Sequence, residues 1–140
     1  MASMSGIYRG GLRTEDTHVK SGRTVLTDAP TDNNGRGEAF SPTDLVCAAL
    51  SSCMMTLMGI LAEREGIDLT GMTSQITKIM VSNPRRIGEI QIAFHHPGLR
   101  ATPEQRKKLK HAARTCPVAL SLSAEVRQTI EFHFGEATGQ

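Results

Sequence analysis

Between Leu45 and Ala62 the chain reads LVCAALSSCMMTLMGILA, with no charged side chain anywhere in it. At about 18 residues this stretch reaches the lower limit for a helix that crosses a membrane. Ser51, Ser52, Cys53, Thr56 and Gly59 dilute its hydrophobicity, and no other segment resembles it. It therefore reads as the central helix of a soluble domain, apolar on every side because it is covered on every side. A single domain of 140 residues buries about two-thirds of the surface its unfolded chain exposes. Covering such a helix completely is difficult for one copy, so a partner subunit is expected to share the task.

The ends of this helix are marked. Ser41 suits the N-cap, Pro42 the first helical position, and Asp44 places a negative charge in the first turn. Gly66 fits the position just past the end, so the helix is expected over 42–65. Upstream, Ile7–Gly11, Leu12–Val19 and Arg23–Asp28 read as strands, with a turn at Lys20-Ser21-Gly22 and a loop over Pro30–Gly37. Downstream, strands are expected over 72–82 and 86–95, the second with Ile90, Ile92 and Phe94 on one face. Thr102 and Gln105 form a capping box for a helix to about Thr115, which Cys116-Pro117 must end. A last strand over 125–134 turns Val126, Ile130, Phe132 and Phe134 inward. The sum is an α+β fold with mostly antiparallel sheets around a long buried helix. It fills residues 1–140 as one domain, with residues 1–5 as a disordered lead.

Composition excludes several functions. A net charge of +2 is too small to imply nucleic acid or an acidic membrane as partner. The basic run Arg106-Lys107-Lys108 with Lys110 alternates with apolar positions and reads as the solvated face of a helix. With no Trp, one Tyr and four Phe, the chain lacks the rings for a base-stacking surface. The first residues, MASMSGIYRGG, lack the apolar core of a secretory signal, and an odd cysteine count makes a poor disulfide framework. A cytoplasmic location is expected.

Cys53 stands in the middle of the uncharged helix, with Ala49, Leu50, Thr56 and Leu57 around it. Nothing there stabilises a thiolate, and the N-terminus is about three turns away, beyond the reach of the helix dipole. A reactive Cys53 therefore needs a cation from elsewhere in the fold. Cys116 precedes Pro117; if a short helical turn starts there, Cys116 is its N-cap, where amide donors favour a thiolate. Cys47 lies about 120° around the helix from Cys53, cannot pair with it, and reads as packing. Met54, Met55 and Met58 read as core filler. No metal is expected: the cysteine spacings fit no zinc motif, and His95 and His96 point to opposite faces of a strand. No phosphate-binding loop, dinucleotide fingerprint or nucleophile elbow occurs, and no cofactor is expected.

The run FSPTDLVCAALSSCMMTL, followed much later by CPVALSL, resembles the osmotically inducible protein C and organic hydroperoxide resistance (OsmC/Ohr) family. The resemblance extends from the first strands to the last. It implies an intertwined homodimer with the long helices buried between sheets, and a thiol-dependent peroxidase acting on organic hydroperoxides in oxidative stress defence. Under it, Cys53 is the peroxidatic cysteine and Cys116 the resolving one, with an external dithiol such as a dihydrolipoyl group as reductant. The family also brings an arginine to the thiol. Arg13 matches it by its spacing to Gly22. Where the hydroperoxide branch carries a glutamate directly after the helix-opening proline, this chain has Thr43. Glu38 or Asp44 could replace that glutamate in orienting Arg13. The stretch TDAPTDNNGRGEAFSPTDL is closer to another redox branch of the family. Two other readings stay open: a non-catalytic module that holds a small lipid-like ligand in its apolar cleft, and a thiol–disulfide exchange protein.

Overall fold

In the computed structural model, which describes residues 1–135, strands and helices follow one another in the order βββαββααβ. The chain divides into two compact units, Met1–Val46 and the part from Cys47 onward.

The first unit holds β1 (Met4–Gly10), β2 (Arg13–His18) and β3 (Thr24–Asp28), an antiparallel sheet in that order. β1 starts earlier than the sequence suggests: Met4 and Ser5, expected to be disordered, pair with His18 and Thr17 of β2. Their amides and carbonyls find ladder partners, which is what a disordered lead would lack. After β3 comes a loop with a 3-10 turn at Thr31–Asn33. Gly35 is required in this loop because a Cβ there would run into the Ala29 carbonyl. The buried residues of this unit, Thr27, Asp28 and Ser41, are all polar. Its large apolar side chains are exposed, among them Ile7, Tyr8, Val25, Leu26 and Phe40.

Helix α1 (Pro42–Glu65) has the limits read from its cap and its glycine. The Asp44 amide donates to Ser41 Oγ over 3.0 Å, and the Ser41 amide donates to Asp44 Oδ2 over 2.9 Å. This reciprocal box satisfies two donors at the helix start. At the other end Gly66 takes a left-handed φ of 68°, a conformation that costs glycine nothing.

In the second unit β4 (Thr73–Val81) and β5 (Arg86–His95) are antiparallel, and β6 (Arg127–His133) lies parallel to β5. The parallel pairing follows from the long connection between β5 and β6. That connection carries α2 (Pro103–Arg114) and α3 (Pro117–Ser121), enough chain for a crossover. Alternation places Ile90, Ile92 and Phe94 on the inner face of β5, each buried. They pack in one core with Leu50, Met54 and Met58 of α1, Leu109 of α2 and Cys116. Cys47 is buried there too, and Met55 packs against the same core from its edge.

One side of α1 remains uncovered: Ala49, Ser52, Thr56 and Ile60 are exposed. By length and composition alone α1 could cross a membrane, but its other side, from Cys47 through Leu50, Met54 and Met58 to Ala62, is buried in this core.

The α2 cap is the expected box: the Gln105 amide donates to Thr102 Oγ1 at 3.1 Å, and the Thr102 amide to Gln105 Oε1 at 3.0 Å. The basic run on α2 needs correcting. Lys107 and Lys108 are exposed, but Arg106 is buried. Its guanidinium donates to the carbonyls of Ala101 (3.1 Å), Leu99 (2.9 Å), Phe134 (3.2 Å) and Gly135 (2.7 Å). Those carbonyls belong to the segment before α2 and to the end of β6, where neither helix nor sheet supplies donors. The long arginine reaches them, so burial of its fork is compensated.

Candidate active site

The second unit brings two thiols together. Cys53 stands on the half-buried flank of α1, while Cys116 is fully buried as the N-cap of α3. Pro117 holds the first helical position of α3, and the Ala119 amide donates to Cys116 Sγ at 3.3 Å. The N-cap placement is as the Cys-Pro junction suggests, but its electrostatic effect is not. Burial pushes the Cys116 thiol up, the Ala119 amide pulls it down less, and the neighbouring Cys53 sulfur pushes it up further. An amide or two at a short helix cannot offset the loss of water around a fully buried sulfur. Cys116 is therefore held as a thiol, and Cys53 is the member of the pair with an open side. All three cysteines, Cys47 included, are free.

The first unit contains an ion-paired arginine. β2 and β3 place Arg13 directly opposite Asp28. The guanidinium engages that carboxylate with both prongs, Nε to Oδ1 at 2.7 Å and Nη2 to Oδ2 at 2.7 Å. Nη2 also reaches Glu38 Oε1 at 3.1 Å. The Asp28 side chain is 0% exposed, against 21% for Arg13 and 67% for Glu38. The Glu38 amide donates to Asp28 Oδ2 at 3.1 Å, tying the loop to the same carboxylate. The hydrogen bonds from Arg13 hold the Asp28 carboxyl below its usual range against the opposing effect of desolvation, and Asp28 in turn raises Arg13.

This pairing sets an acid limit. Because its folded-state pKa lies below the ordinary aspartate value of about 3.9, Asp28 adds stability above that value and loses it as pH falls through its lowered pKa. Urea midpoints of the wild type and of Asp28→Asn are expected to differ at neutral pH and to converge below about pH 4.

The residues singled out from the sequence thus fall into two groups. Cys53 and Cys116 meet in the second unit; Arg13 and Glu38 meet in the first. Asp44 is occupied at the α1 cap, and the ion pairs of Arg13 are with Asp28 and Glu38. Asp28 escaped the sequence reading, although the hairpin about Lys20-Ser21-Gly22 carries the signal. Counting back from that turn along two antiparallel strands sets Arg13 against Asp28. Among the described residues, no group of three His, Cys, Asp or Glu side chains is arranged to hold a metal ion.

The fold is that of known proteins. A structure from Psychrobacter arcticus, described as an osmotic stress induced and detoxification response protein, is similar at 41% identity. The match covers 95% of this chain and 96% of that one with a TM-score of 0.90. An organic hydroperoxide resistance protein OsmC from Legionella pneumophila shares the fold at 16% identity, covering 95% and 98% of the two chains with a TM-score of 0.69. An organic hydroperoxide resistance protein from Elizabethkingia anophelis does so at 15% identity, covering 96% and 97%, with a TM-score of 0.67. A search of curated proteins finds no match. The architecture is therefore that of the OsmC/Ohr proteins. Residues 35–131 match the family model for OsmC-like proteins, and the chain belongs to that family.

Proposed function

We propose that this protein is a cysteine-based peroxidase that reduces organic hydroperoxides with a dithiol as electron donor, in defence against oxidative stress. The observation that carries this reading is the juxtaposition of Cys53, open on one side, with the buried Cys116, both as free thiols. In the first step the Cys53 thiolate attacks the distal oxygen of the hydroperoxide and the O–O bond breaks. The alkoxide takes up a proton and leaves as the alcohol, and Cys53 becomes a sulfenic acid. In the second step the Cys116 sulfur attacks Cys53 Sγ; the S–S bond forms, the S–O bond breaks, and the leaving hydroxide departs as water with the Cys116 proton. The external dithiol, such as a dihydrolipoyl group, then exchanges with the disulfide and restores both thiols.

Arg13 is proposed to supply the positive charge that the apolar helix cannot, holding Cys53 as thiolate and polarising the peroxide. A homodimer is proposed because the first unit buries no large apolar side chain and α1 leaves Ala49, Ser52, Thr56 and Ile60 exposed. A second copy would cover both. The free cysteines fit a reducing, cytoplasmic location.

Adding one equivalent of cumene hydroperoxide to the reduced protein is expected to lower its mass by about 2 Da, for two hydrogens lost, with the bridge mapped to Cys53 and Cys116. Thiols that stay reduced would refute the peroxidase reading. Disulfide transfer to a model substrate without peroxide would then point to thiol–disulfide exchange, and a co-purifying lipid-like molecule to a binding module.

A further inference from the structure

We infer that Asp28 is the positioning residue for Arg13, doing from a neighbouring strand what a glutamate at position 43 would do from the start of α1. The inference rests on the reading that Arg13 serves the Cys53 thiol. An arginine is long and loses considerable rotamer entropy when held, so a guanidinium delivered to a reacting sulfur needs something to fix its plane. Here the fixing group is unusually secure. Asp28 lies directly across the ladder from Arg13, so the strand register alone brings the two together. Its carboxylate meets both prongs at 2.7 Å, the planar two-point geometry that sets orientation as well as distance.

The carboxylate is itself held from both sides. The Asp28 amide donates to the Phe40 carbonyl at 3.0 Å, and its Oδ2 accepts the Glu38 amide at 3.1 Å. Full burial keeps water from competing, and an unpaired carboxylate there would be costly, so Arg13 is held continuously rather than visited. Glu38 is a weaker holder: it is mostly exposed and makes one contact at 3.1 Å. Both carboxylates use Nε and Nη2, so neither ion pair engages Nη1. That edge is the part of the fork aimed by Asp28 and available to a thiolate or a peroxide oxygen.

The test follows the alkylation of Cys53 by iodoacetamide as a function of pH, with Cys53 quantified in its own peptide by mass spectrometry. This readout does not depend on peroxidase turnover. Arg13→Gln should slow alkylation at pH 7 about tenfold and move the profile up by about one pH unit. Asp28→Asn, the same size without the charge, should reproduce most of that shift while its circular dichroism stays that of the wild type. Glu38→Gln should change the rate less than about threefold. Arg13→Lys keeps the charge but cannot make the two-point pair, and should resemble Arg13→Gln rather than the wild type.

A wild-type profile in a folded Asp28→Asn, alongside a shifted Arg13→Gln, would overturn the positioning role and leave Arg13 in place. Should Asp28→Asn not fold, Arg13→Lys decides: a wild-type profile there shows that charge without orientation suffices, and the proposal falls. A wild-type profile in Arg13→Gln would instead sink the reading that Arg13 serves Cys53, and the positioning role with it.

Discussion

Cys53→Ser is expected to abolish hydroperoxide-driven oxidation of a dithiol, with kcat/KM at least about a thousandfold below the wild type. The magnitude follows from chemistry rather than packing. A serine hydroxyl is far less acidic and less nucleophilic than a thiol, and no general base capable of activating it is required by the proposed mechanism. The substitution is nearly isosteric on a half-buried flank, so the fold should survive and a loss of activity reports on the reaction. Cys116→Ser should behave differently. Cys53 would still be oxidised once per peroxide, but its sulfenic acid would persist until an external thiol reached it, and a sulfenic-acid reagent such as dimedone should label it. Retained full turnover in Cys53→Ser would rule out the peroxidatic role. Equal loss in both variants without a trappable sulfenic acid would overturn the division of labour between the two sulfurs.

That division has a physical basis in the second unit. Cys116 is buried with its pKa raised, which makes it a poor first nucleophile toward a peroxide in solution. Its position beside Cys53 suits an attack that needs proximity more than acidity. Once Cys53 carries the oxygen, the neighbouring sulfur is the group already in place.

The second large effect concerns stability. Arg106→Ala should lower the unfolding free energy by about 3 kcal/mol, read as a fall in urea midpoint with the slope unchanged. The substitution removes the donors for the carbonyls of Leu99, Ala101, Phe134 and Gly135 and leaves buried acceptors without them. Arg106→Met, which keeps the aliphatic stem but no donor, should recover only the packing part of the loss. Arg106→Lys keeps the charge but cannot span four acceptors with one ammonium. The adjacent Lys107→Ala is exposed and should stay within about 0.5 kcal/mol of the wild type. A midpoint for Arg106→Ala as close to the wild type as that of Lys107→Ala would show that water satisfies those carbonyls.

Arg106 also shows where sequence reading stops. In the run Arg106-Lys107-Lys108 nothing local distinguishes the first residue from its neighbours, and a basic run on a helix is ordinarily solvated. Its burial depends on the end of β6 arriving beside the start of α2, a meeting of residues far apart in the chain. Asp44 is the opposite case. Three residues from Ser41, it carries a local signal for the cap, and the cap is where its carboxylate is found. Its alternative assignment as the partner of Arg13 failed because Asp28, across one strand pair, holds that place.

The uncharged stretch from Leu45 to Ala62 follows the same line. Its sequence alone determined that a long helix forms, where it starts and where it ends, because Ser41, Pro42, Asp44 and Gly66 act on backbone groups within one turn of themselves. Local pattern likewise determined the strands on either side of it, the α2 capping box and the break at Pro117. Only the tertiary structure decided which flank of α1 is buried, that β6 runs parallel to β5, that burial outweighs the amide at Cys116, and that Asp28 holds Arg13. Each of those depends on desolvation and on partners brought from distant positions. Such terms arise when the elements pack, and no short window of sequence contains them.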